Sequence, residues 1–359
     1  MNTTVPVQKE ERIIFSSGSA EYSVRDVIDA AHFRGELASP WRDHLRRIAA
    51  EEHAGSSGAE VERAAIDEAS VAFRYEYDLI TAEETERWLE ARTLTLGDFS
   101  EYFVRQYWDK TFGSRASGAE IAFVEASIEQ RELFATELIL SGELDRLAVR
   151  LAWRVAARAT LKEPPDEAAL DEERQRFSQR HASDAETWLN ALGRTGSWFD
   201  EMLELEAACR ISSARVLTPD GFKREISSLR LPLTRLEVEM IELDSRDAAS
   251  EALMCVREDG MSMEEVARDG RYPFSRREMV LEEVPIEQQQ NFLSQTPGSI
   301  LDPQPRDDGY VLSRLIAKHE PSIDDPQVRA RIEQRLLQRH FADLTAGRIK
   351  WPIQPSIPA

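Results

Sequence analysis

Residues 235–267 read RLEVEMIELDSRDAASEALMCVREDGMSMEEVA, and the change of period inside this stretch decides the fold. From Arg235 to Leu243 apolar residues alternate with acids, the two-residue period of a strand with one face toward a core. The period then lengthens: Ala249, Leu253 and Val256 fall on one side of a helix over 246–258. Gly260 ends that helix. Ser262 opens a short second one to Arg268, with Glu264 and Glu265 in the first turn, where the helix dipole favours acids.

A strand with two helices has no core by itself, so partners are expected downstream. Residues 276–281 are a strand candidate, 285–294 a helix, Pro297-Gly298 a turn and 309–317 a last strand. The sum is a small α+β module of about 85 to 100 residues, an ordinary domain size. Upstream the register is helical. Val24, Val27, Ile28 and Ala31 recur at helical spacing, and Trp41, Leu45 and Ile48 continue after Ser39-Pro40. Further helices are expected over 61–77, 82–91, 96–112, 118–140, 143–161, 166–192 and 197–209, with Pro164-Pro165 as an interruption. Asp324-Asp325-Pro326 caps a long amphipathic helix to about Ala346, and 348–353 is an edge strand for which 12–15 is the candidate partner. The predicted fold class is α+β, predominantly helical, with a helical body over 1–214, the module over 215–320, and a helix and tail over 321–359 that return to the body.

Trp88-Leu89, Thr95 and Phe99 recur one hundred residues later, at the same spacing, as Trp188-Leu189, Thr195 and Phe199. Each copy reads as helix, tight turn, helix: Trp-Leu closes the first helix, Thr accepts the free amides of the next, and Phe returns to the core. Gly193 supplies a helix terminator in the second copy. Two αα-hairpins that converged on one turn chemistry would look the same, and either way the copies are structural.

A net charge of −21 opposes nucleic acid and anionic membrane surfaces as partners, because the basic residues are scattered among acids. A basic or apolar peptide meets no such repulsion. Cys209 and Cys255 have no CxxC or Cys/His spacing and read as ordinary buried thiols, and the histidines form no HExxH, so neither a metal nor another cofactor is expected. Residues 1–10 lack the basic and apolar runs of a secretory signal, and no stretch approaches the roughly 18 apolar residues of a membrane span. A cytoplasmic location is the expectation. No Gly-x-Ser-x-Gly elbow, Walker loop or dinucleotide fingerprint occurs.

Residues 235–320 resemble a parvulin-type peptidyl-prolyl isomerase domain. The resemblance lies in the first strand and following helix, the phrase Gly260-Met261-Ser262-Met263-Glu264-Glu265-Val266-Ala267, the segment from Thr296 to Pro303, and Asp308-Gly309-Tyr310-Val311-Leu312 at the closing strand. The preceding helices and the helix after the module resemble the chaperone body of SurA-type proteins, and the whole chain is similar to parvulin-related proteins encoded beside bacterial peptide maturation and export systems. The resemblance implies a SurA-like chaperone that binds peptide or unfolded polypeptide, with a peptide-modifying enzyme or exporter as a further partner.

The departures bear on catalysis. The family carries a histidine in the first strand, where this chain has Glu239 or Met240, and a second after Gly-Tyr in the closing strand, where it has Val311. The Gly-Gly-Asp-Leu-Gly loop is replaced by residues 271–276, and no catalytic residue is assigned. The resemblance leaves a groove, with Met279 and Phe292 as counterparts of the family's proline-pocket residues, joined by Tyr310, Leu312 and Met240; the same residues would equally serve as the core of a small sheet. Two alternatives stay open: an active isomerase in which Glu239 or Asp308 replaces a lost polar group, and a structural adaptor for a transporter or modifying enzyme.

Overall fold

The structure, a computed structural model, describes residues 9–115, 121–181, 184–306 and 309–356. The chain divides into two units, Met1–Ser213 with His340–Ala359, and Ala214–Arg339. In the first, β1 (Ile13–Ser17) and β2 (Ala20–Ser23) precede α1 (Val24–Phe33), α2 (Ala38–Ser57), α3 (Arg63–Glu76), α4 (Ala82–Glu90), α5 (Leu96–Phe112), α6 (Ile128–Leu140), α7 (Glu143–Thr160), α8 (Glu167–Arg180), α9 (Ala185–Leu192) and α10 (Gly196–Ala214). The chain continues through α11 (Pro219–Ser228), β3 (Arg235–Leu243), α12 (Arg246–Arg257), α13 (Met263–Gly270), β4 (Phe274–Val280), α14 (Ile286–Ser294), β5 (Gln304–Arg306), β6 (Gly309–His319) and α15 (Pro326–Thr345), and ends with β7 (Ile349–Lys350).

In the first unit β1 lies between β2 and β7, both antiparallel to it, with Ser16 opposite Lys350 and Ser17 opposite Ile349. The strand expected over 348–353 thus pairs with β1, but through Ser16 and Ser17, just past the 12–15 stretch expected as its partner. Strand β2 was not anticipated: Ala20 and Glu21 are exposed, so no alternation marks it. Two expected helices are each broken by a cap. The helix expected over 118–140 starts only at Ile128, where Ser127 and Gln130 form a capping box, and Gly118 lies outside the described residues. The helix expected over 166–192 stops at Arg180 and restarts where Asp184 accepts from the amide of Thr187.

Both copies of the repeat form the same turn. Thr93 at φ +59° and Gly193 at φ +65° are left-handed, and the next residue in each copy, Leu94 or Arg194, donates its amide back to Leu89 or Leu189. Thr95 and Thr195 then accept amides of the following helix, from Asp98 and Trp198. The body's core holds Phe15, Phe33, Phe134, Phe177 and Trp188, with His32 stacked on Trp188 at a ring separation of 5.3 Å. It also buries a carboxylate. Glu137 accepts from Arg105 Nε at 3.1 Å and from Arg47 Nη1 and His44 Nδ1 at 2.9 Å each.

The second unit is built on an antiparallel sheet in the order β4-β3-β6-β5. Strand β3 is central. Leu236 and Val238 face Leu281, Phe292, Leu301 and Leu315, whereas Ile241 and Leu243 face Ala249, Val256, Met263 and Leu312 under α12 and α13. A separate cluster forms where α15 covers α11, through Phe222, Leu233, Val328 and Ile332. Ser262 and Glu265 close a capping box at α13, as their spacing predicts. The last strand runs to His319, and β5, too short to carry a period, pairs with its start. Gly309 is required there, because a Cβ would lie 2.3 Å from the carbonyl oxygen of Leu243.

Candidate functional site

On the face of the sheet away from α12 and α13, the second unit opens a cavity of about 240 Å³. Its floor is set by strand alternation. Met240 of β3 stands opposite Ser313 of β6, and Met279 of β4 opposite Leu236, so Met240, Met279, Val311 and Ser313 all point to this side. Its wall is set by helical spacing: Pro285, Gln288, Asn291 and Phe292 share one face of α14 and its entry. The segment after Pro297-Gly298 closes the far side. Leu301 donates its amide to Ser313 O at 2.9 Å, and Leu315 donates to Ser299 O at 2.9 Å, which holds Leu301 over the cavity.

Of the residues proposed from the sequence, Met240, Met279 and Phe292 come together here. Leu312 does not join them. It is fully buried on the opposite face, in the core with Ile241 and Val256, because it is one residue out of step with Val311 and Ser313. Tyr310 shares that parity; it packs on the same core and borders a different cavity beside Pro273 and Asp244. The rest of the lining was missed by sequence reasoning, Val311, Ser313, Val284, Leu301 and Arg277 among it. Val311 and Ser313 could not be told from the core residues of β6, because that strand carries apolar groups on both faces.

Glu239 faces away from the cavity, in register with Arg276 and Arg314, and Asp308 lies outside the described residues. The positions that the parvulin resemblance gives to imidazoles are therefore represented in the cavity by the thioether of Met240 and the isopropyl group of Val311. What remains polar is the Ser313 hydroxyl, the amides of Gln288, Asn291 and Gln304, and the charges of Arg277, Arg306 and Glu283. Glu283 is engaged by Arg331, whose hydrogen bond holds its carboxyl below the usual range, and it also accepts from the amide of Val280 at 3.3 Å. Such a lining can enclose an apolar side chain and hydrogen-bond the backbone around it.

Among the described residues no His, Cys, Asp and Glu cluster could hold a metal, and no helix is long and apolar enough to cross a membrane. Cys209 and Cys255 are free and only half-buried.

No protein-family model matches the chain, and no curated protein matches it. Among solved structures, the peptidylprolyl isomerase PrsA from Bacillus cereus is 13% identical, with 62% of this chain and 90% of that chain covered at a TM-score of 0.38. The foldase PrsA from Lactococcus lactis is 10% identical, with 95% of this chain and 94% of that chain covered at a TM-score of 0.27. A structure reported for two SurA-like chaperones of Campylobacter jejuni is 13% identical over 59% of this chain and 88% of that one, at a TM-score of 0.22. The superpositions are loose, and nothing about function rests on them.

Proposed function

We propose that the protein is a chaperone that holds polypeptide, seating an apolar or prolyl residue of a client in the cavity of its second unit without isomerising it. The client is a precursor or unfolded chain on its way to maturation or export. The observation that carries this reading is the lining itself: Met240, Met279, Phe292 and Val311 make an apolar cleft, and the groups around it donate and accept hydrogen bonds. Peptide-bond rotation faces a barrier of about 18–20 kcal/mol, and lowering it takes groups that stabilise the twisted amide more than the planar one. On this reading the lining holds the client through side-chain burial and backbone hydrogen bonds and does not favour the twisted amide enough to speed its rotation. Methionine suits a site of varied occupants, because its unbranched thioether adapts to the shape it meets.

Calorimetric titration with prolyl peptides and with an unfolded protein tests the holding, and a protease-coupled isomerisation assay tests the absence of turnover. Saturable binding with a rate at background is expected. Uniformly null titrations would remove the reading, and a rate well above background would return the chain to the enzymes.

A further inference from the structure

We propose that the cavity selects client segments that carry a carboxylate beside the apolar residue it seats, and that Arg277 is the group that reads it. This rests on the peptide-holding reading above and adds the chemistry of the ligand.

The adjacent arginines of β4 point to opposite faces of the sheet. Arg276, turned from the cavity, is satisfied: its Nε donates to Glu237 Oε1 at 2.9 Å, and its Nη2 donates to the same oxygen. Arg277, turned toward the cavity and open to solvent, has no such carboxylate. Its Nε donates to Met240 Sδ at 3.2 Å, a thioether and thus a weak acceptor, and among the described residues no carboxylate pairs with it. The one acid in the lining, Glu283, is already neutralised by Arg331. The second lining cation, Arg306, is shared with Glu242 at 3.0 Å in a pair that is more than half exposed on both sides and therefore weak.

The cavity is thus locally cationic on a chain whose net charge is −21. These two fields act at different ranges. The whole molecule's field favours the approach of basic clients, whereas contact with the cavity favours an acid within reach of Arg277. A guanidinium presents a planar fork that matches a carboxylate with two parallel hydrogen bonds, geometry that an amide or hydroxyl of the client cannot supply. The carboxylate is a Glu or Asp side chain next to the seated residue, or the free C-terminus of the client; the chemistry is shared, and the test separates the two.

The test is calorimetry on the full chain at low salt, with three peptides around one Leu-Pro core: Glu-flanked and amidated, Gln-flanked and amidated, and Gln-flanked with a free C-terminal carboxylate next to the core. At least one carboxylate peptide is expected to bind about three- to tenfold more tightly than the amidated Gln peptide, and which one does names the source. In Arg277→Gln that ratio is expected to fall to about one, and in Arg277→Lys to an intermediate value, since a point charge remains without the fork. Circular dichroism of both variants checks the fold. A ratio of one in the unaltered protein, or a ratio that survives Arg277→Gln, overturns the carboxylate proposal and leaves peptide holding intact. Absence of binding by all three peptides overturns both.

Discussion

Single residues in the body carry consequences that can be measured one at a time. Thr93 occupies the left-handed region that Gly193 occupies in the second copy of the same turn. A β-branched residue is strained there by about 1–2 kcal/mol, partly offset because glycine loses more chain entropy on folding. Thr93→Gly is therefore expected to stabilise the protein by about 0.5–1 kcal/mol, read as a shift of the urea midpoint. His32 gives a pH signature. Burial, with His181 and Arg131 adding to it, pushes its folded value down to about 3 from an ordinary 6.5. Between those values the native state holds fewer protons than the unfolded chain, so the contribution is complete above pH 6.5 and is lost as pH falls toward 3. The slope from this one group is up to about 1.4 kcal/mol per pH unit. His32→Phe, which keeps a ring against Trp188, is expected to flatten the pH dependence of urea unfolding between pH 6.5 and pH 4. Glu137 works in the same direction at lower pH. Burial alone would raise its carboxyl, but His44, Arg47 and Arg105 outweigh burial and hold it below the usual range, so its stabilisation disappears as acid protonates it.

At the scale of elements, the sheet of the second unit separates stability from binding by parity. Leu312 points into the core beneath α12, and Leu312→Ala is expected to cost about 2–5 kcal/mol by urea unfolding with no change in peptide affinity. Met240 points into the cavity, and Met240→Ala is expected to weaken peptide binding about fivefold to tenfold. The same parity explains what the sequence revealed and what it hid. Alternation in β3, the helical spacing of Ala249, Leu253 and Val256, and the capping residue Ser262 made the order of the module legible, because each is a local signal. Strand β6 runs Tyr310, Val311, Leu312 with apolar groups on both faces, as a strand covered on two sides does, so alternation could not tell cavity from core. Val284 and Leu301 reach the cavity from connections without a period, and only tertiary hydrogen bonds such as Leu301 to Ser313 place them. In the body, the helix starts at Ile128 and Ala185 are marked only by the single capping residues Ser127 and Asp184, with no proline or glycine at the break to end the preceding helical register.

At the scale of the molecule, each unit has its own core, so the two are expected to unfold as separate cooperative blocks. Calorimetric scanning should resolve two transitions, with Leu312→Ala lowering one and Thr93→Gly raising the other. The central claim is that a cleft floored by Met240, Met279 and Val311 retains a client and leaves its amide bonds as they were. Exchange spectroscopy by NMR on a prolyl peptide reads both halves in one sample. With the protein present, the peptide's resonances should broaden and shift in proportion to the protein added, while no cis-to-trans cross peaks grow within a mixing time of about a second. Cross peaks that build up with protein concentration, or resonances that do not change at all, would contradict the account.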